Sequence, residues 1–172
     1  SPTLTISPHI LKSMPFDPAK DLSPVAPILS YANVLAAAIV LSKYIKLETD
    51  KQRVAIVLPP GKGGLIANLA VLFAGKVPVN LNFTAGKAAL ETCLRIGGVN
   101  TVITADALRA KVPAFPWPER TLELKTEIEA AGGKKAMLPW LIAAWLLPNQ
   151  WCATLVGLPQ RGDREEAGLL FT

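Results

Sequence analysis

The residues Pro59-Pro60-Gly61-Lys62-Gly63-Gly64 stand where an apolar run ends and an Ala/Leu-rich segment begins. Glycine-rich loops in that position bring backbone N–H groups to a phosphate at a helix N-terminus. The spacing matches neither G-x-x-x-x-G-K-[ST] nor G-x-G-x-x-G, so a simple turn is the plainer expectation. Other chemistry is sparse. The one histidine, His9, sits in a proline-rich leader, and no Ser-His-Asp, Cys-His or paired-carboxylate set can be assembled around it. Cys93 and Cys152 show neither a C-x-x-C nor a metal-ligand spacing, which points to buried free thiols in a reducing compartment. No catalytic residue and no metal ligand is assigned.

The elements around that loop are easier to read. Val54–Leu58, Val77–Leu81 and Thr101–Thr104 are short, apolar and bounded by Pro, Gly or Asn, as strands are. Leu65–Ala74 and Ala85–Ile96 between them are long enough for helices, with Gly75 and Gly97 placed as left-handed caps. Strands separated by helices of that length pair in parallel, so the expected fold class is α/β, a mainly parallel doubly wound sheet on a βαβαβ core. Thr121–Leu124 and Gly168–Thr172 complete five expected strands.

Ser1–Pro27 carries six prolines and reads as an extended leader, giving a division into residues 1–29 and an α/β unit over 30–172. Ser30 is expected to cap a helix running to Lys43 or Ile45, with Tyr31, Val34, Leu35, Ala38, Ile39, Leu41 and Ser42 as its apolar stripe. Asp106 is expected to cap a short helix to Lys111, VPAFPWPE to be irregular, and Glu127–Ala131 to be a helical turn ended by Gly132–Gly133. In MLPWLIAAWLLPNQW, Pro139 suits a first helical turn and Pro148 a stop. That helix is apolar all round and reads first as a buried or domain-contact element, second as an interfacial membrane element.

The chain of 172 residues is 51% hydrophobic and only 18% charged, more apolar than an ordinary domain. Its net charge of +5 is scattered, without a basic stripe interleaved with aromatics, which argues against nucleic acid as a partner. No signal sequence opens it and no apolar run is long enough to span a bilayer, so it is expected in the cytoplasm, with peripheral membrane contact as an option.

RVAIVLPP, LFAGKVPVNLNFTAG, IGGVNTVITA and EEAGLLFT together resemble the N-terminal part of adenylate-forming enzymes, the superfamily of acyl-CoA synthetases and luciferases. Within it, the block Val77-Pro78-Val79-Asn80-Leu81-Asn82-Phe83-Thr84-Ala85-Gly86 is similar to one in the acyl-acyl-carrier-protein synthetase half of 2-acylglycerophosphoethanolamine acyltransferase. The resemblance covers about Ser30 to Thr172. It implies a parent ligase of phospholipid and fatty-acid metabolism that uses ATP and Mg²⁺ to make an acyl-adenylate, then a thioester on acyl-carrier protein or coenzyme A. In that superfamily the last strand runs into a Ser/Thr/Gly-rich loop that grips ATP phosphates; only Thr172 overlaps its first position. An acyltransferase H-x-x-x-x-D pair is not formed either, because Met14 stands fifth after His9. The resemblance therefore implies an inactive scaffold fragment, binding no cofactor itself and prone to self-association through uncovered apolar surface. The alternative is a non-catalytic flavodoxin-like interaction module that docks on a membrane or partner through the Trp-rich helix.

Overall fold

A computed structural model describes residues 28–147, 149–157, 166 and 168–170. The proline-rich leader, Pro148, most of the charged loop before the last strand, and Thr172 lie outside the described residues. The elements are α1 (Ile28–Glu48), β1 (Arg53–Ile56), α2 (Lys62–Phe73), β2 (Val77–Asn80), α3 (Lys87–Gly97), β3 (Thr101–Thr104), α4 (Asp106–Lys111), β4 (Arg120–Glu123), α5 (Leu124–Ala130), α6 (Gly133–Leu146), α7 (Asn149–Val156) and β5 (Leu169–Leu170).

The five strands form one sheet in the order β4-β3-β1-β2-β5, and every neighbouring pair is parallel. Alternation of side chains divides their apolar runs between two cores. Val54, Ile56, Ile103 and Leu122 face α1 and α2, meeting Ala38, Leu41, Ile45, Ala67 and Val71. Ala55, Val57, Val79 and Val102 face the other way, onto Leu90 of α3, Leu108 of α4 and Phe115. The sheet is thus buried on both faces, as expected. The chain steps from β1 outward to β2, then back past β1 to β3, and right-handed crossovers in opposite directions deposit α2 and α3 on opposite faces.

Pro78 sits inside β2, where a missing N–H must be placed with care. The N–H groups of Val77 and Leu81 donate to Gln52 and Ile56 on the β1 side. By alternation, the donor that Pro78 lacks falls on the side of β5, which pairs only through Val79 with Leu169 and Asn80 with Leu170.

Several helix ends differ from expectation. The first helix begins directly after Pro27, so Ser30 lies within it rather than capping it. Leu35, expected in its apolar stripe, is 45% exposed, while Ala36, Ala37 and Val40 are buried, because the helix is covered by α2 on one side and by α5 and α6 on another. The left-handed cap of α3 is Gly98 (φ 61°), not Gly97, which is the last helical residue; Gly75 has φ 74° as expected. Ala105, not Asp106, is the N-cap of α4, and no side chain caps it. The run VPAFPWPE is irregular but anchored. Phe115 is buried, Trp117 packs against it with ring planes tilted by 44° and centroids 4.4 Å apart, and the indole Nε1 donates to the Val112 carbonyl at 3.1 Å.

β4 stops at Glu123 and α5 follows without a loop, three residues ahead of the helical turn expected at Glu127. Helix α6 also starts early, at Gly133, after Gly132 turns the chain at φ 103°. Pro139 therefore lies inside the helix, beyond its first turn. A further helix, α7, follows it; its Cys152 thiol points at the carbonyls of Ala143 (3.5 Å) and Leu147 (3.8 Å), folding α7 back on α6.

Candidate functional site

In an open parallel sheet, ligands collect at the carboxyl edge, where the strand order reverses. Here the reversal lies at β1, between the loops leaving β1 and β3. Its floor is closed by hydrogen bonds: the Val57 N–H donates to Ile103 (2.9 Å), and the buried Thr104 hydroxyl donates to the Val57 carbonyl at 2.9 Å. Val57 and Thr104 are fully buried, so a ligand at this edge would meet the loops above them.

The first of those loops is Pro59–Gly64. Gly61, at φ 150° and ψ −167°, turns into α2, and no side chain caps that helix. A Cβ on Gly64 would stand 3.2 Å from the Pro59 carbonyl oxygen, and one on Gly63 3.2 Å from Cδ2 of Leu124. These glycines let α2 lie against its own loop and against α5, which is a packing reason for their presence. Lys62 is exposed.

The second is the Val77–Gly86 block. Asn80, at the end of β2, forms a reciprocal amide pair with Asn68 of α2 (2.8 and 3.1 Å), and Asn68 also donates to the Gly64 carbonyl at 2.8 Å. The carboxyl end of β2 is thereby tied to the first turns of α2. Asn82 Oδ1 then accepts from the Thr84 N–H (3.0 Å) and hydroxyl (2.7 Å), a local turn that delivers the chain to Gly86 and α3. β5 runs parallel to β2 toward this same edge. Thr172, the one residue assigned to nucleotide binding, lies outside the described residues, as does His9.

On the far side, Glu123 ends β4 and caps α5 by accepting from the Thr126 N–H. Partial burial pushes its carboxyl up, but hydrogen bonds from Thr126, Lys125 and Asp106 outweigh this and hold it below its ordinary value of 4.5. A carboxylate whose lone pairs are so engaged clasps β4, α5 and α4 together and is a poor general base.

Two tertiary ties complete the frame. At the amino edge Arg53 holds Glu166, the residue just ahead of β5, with Nη2 at 2.8 Å and Nε at 3.2 Å, and donates through Nη1 to the Gly97 carbonyl. On the α1 side, the Tyr44 hydroxyl is pushed up to about 12, chiefly because it donates to the Glu127 carboxylate, with burial and Glu48 adding to the effect. Sequence reasoning missed Glu123, the Asn68–Asn80 pair and the Arg53–Glu166 pair. Only Asn80, a polar end to an otherwise apolar strand, carried a local signal.

Among the described residues, no three His, Cys, Asp or Glu side chains gather as metal ligands, and Cys93 and Cys152 are free thiols that are half-buried rather than buried as expected. At this edge the side-chain amides and hydroxyls are bonded to one another or to backbone, and Lys62, Asn82 and Thr84 are exposed.

No protein family model matches the sequence, and no curated protein matches it. Among solved structures, the nonribosomal peptide synthetase FmoA3 superposes with a TM-score of 0.52 at 18% identity, over 58% of this chain and 11% of its own. Its AMPPNP-bound form gives 0.52 at 19% identity over the same shares. VinN gives 0.51 at 16% identity, over 64% of this chain and 29% of its own. The matched region is thus about a tenth of the first protein and under a third of the second. The chain has the α/β fold of those regions, a parallel sheet with helices on both faces.

Proposed function

We propose that residues 30–172 are the N-terminal scaffold portion of an AMP-forming ligase, with residues 1–29 as its leader. The observation that carries this reading is the sheet order β4-β3-β1-β2-β5, with β5 laid parallel beside β2, in a fold shared with FmoA3. FmoA3 has been captured with AMPPNP and with an amino-acyl-AMP, which supports an adenylating parent. The Val77–Gly86 block favours a fatty acid as the acid activated, with acyl-carrier protein or coenzyme A as the thiol acceptor and ATP with Mg²⁺ as cofactors. In this reading Thr172 is the first position of the loop that grips the nucleotide phosphates, and the 172-residue chain alone is inactive. Phosphate charge in such a transition state is met by positioned donors and cations, a role this reading gives to the loop that begins at Thr172.

Fatty-acid-dependent exchange of pyrophosphate into ATP tests this. Exchange is expected from a chain continued past Thr172 through the phosphate loop and the rest of the parent, and none above blank from the 172 residues. Turnover by the 172-residue chain would overturn the scaffold reading. Exchange by the continued chain with amino acids but not fatty acids would overturn the assigned substrate.

A further inference from the structure

Among the described residues, half of the large apolar side chains left exposed lie on two adjacent helices. Leu138 (56% exposed), Ile142 (48%) and Leu146 (63%) are spaced by four along α6, a single stripe, while Trp151 (64%) and Leu155 (57%) are spaced by four on α7. The opposite side of α6 is engaged with the body. Trp140 lies under the Lys43 ammonium at 4.6 Å, and Met137 and Leu141 line a groove shared with Leu124 and Ile128 of α5.

Lysines outnumber acids around the stripe: Lys125, Glu129 and Lys134 line the same groove as Leu138, with Lys125 and Glu129 paired at 3.9 Å. From Gly132 to Gly157 the only charged residues are Lys134 and Lys135, both exposed, and Lys134 stands one turn before Leu138 on the same line. Three of the four tryptophans also fall in this stretch. Leu, Ile and Trp beside an excess of lysines make a surface suited to the boundary of acyl chains and anionic headgroups. No described helix is long and apolar enough to cross a membrane, so the contact lies in the plane of the bilayer. A second copy of the same stripe would bring one neighbouring acid, Glu129, already paired with Lys125, and a further pair of lysines.

We propose that α6 and α7 form a docking surface for an anionic lipid bilayer, with Leu138, Ile142, Leu146, Trp151 and Leu155 entering the interface and Lys134 and Lys135 meeting phosphate headgroups. This assignment is independent of the ligase reading.

The test is co-sedimentation of the 172-residue chain with vesicles of phosphatidylcholine alone or mixed with phosphatidylglycerol, at low and high salt. Binding is expected to the mixed vesicles and to fall with salt. Neutralising both lysines, Lys134→Gln with Lys135→Gln, is expected to weaken it about thirtyfold, from the usual contribution of a lysine near an anionic surface. Ile142→Asp, at an exposed position where folding is checked by circular dichroism, is expected to abolish it. No binding to mixed vesicles, or binding that survives Ile142→Asp, overturns the proposal. A dimer seen by light scattering that Ile142→Asp dissociates, without vesicle binding, also overturns it and assigns the stripe to a second copy.

Discussion

Glu123 is a carboxylate whose work is done by its environment. Because the folded state holds its proton affinity below that of the unfolded chain, its contribution to stability is present above the ordinary value of 4.5 and is lost as pH falls through the lower folded value. Glu123→Gln keeps the shape but weakens the acceptor that caps α5, and caps of this kind contribute about 1 kcal/mol. Urea unfolding is expected to show that loss at pH 7, with the gap between the two proteins closing as the pH is lowered below the carboxylate range. Equal sensitivity at all pH values would mean that the carboxylate charge is not what the cap uses. None of this was legible in the sequence, since the donors of Asp106 reach Glu123 only after the chain has folded across the VPAFPWPE segment. The same holds for Arg53 and Glu166, 113 positions apart. The Pro59–Gly64 loop, by contrast, could be weighed as a turn from its spacing alone; Gly63 and Gly64 sit at close approaches, and Gly61 at a positive φ.

The strands and most of the helices were readable because each apolar run is both a local preference and a layer of one of the two cores. Their ends were less so. Two glycines in a row, Gly97 and Gly98, give no local sign of which one leaves the helix, and the structure places the left-handed turn at the second. Gly98→Ala is therefore expected to cost about 1 kcal/mol, the usual penalty for a side chain at positive φ, and to lower the melting temperature by a few degrees. Its Cβ would meet open space, so strain alone is measured. An unchanged melting temperature would return the cap to Gly97. Pro139 misled for a related reason: a proline suits a first turn, but α6 is held from Gly132 onward and carries the proline within it.

At the scale of the molecule, the sheet closes with a strand that comes late. β1 and β2 pair between residues 24 apart, Arg53 and Val77, whereas β2 and β5 pair between Val79 and Leu169, 90 apart. Closing the longer loop costs about 1 kcal/mol more in chain entropy, and β5 returns only two paired residues. Throughout synthesis of the intervening segments, the outer side of β2 is an open edge next to an apolar core, the situation in which chains pair with one another instead of with themselves. Pro78 removes one of the few donors on that side. Pro78→Val is thus expected to leave the melting temperature within a few degrees but to lower the soluble yield on refolding at high concentration, read as turbidity. Equal turbidity for both proteins would mean that the edge is guarded by something else. A residue that looks like a defect in a strand is, on this account, what keeps nascent copies of the chain apart until their own last strand arrives.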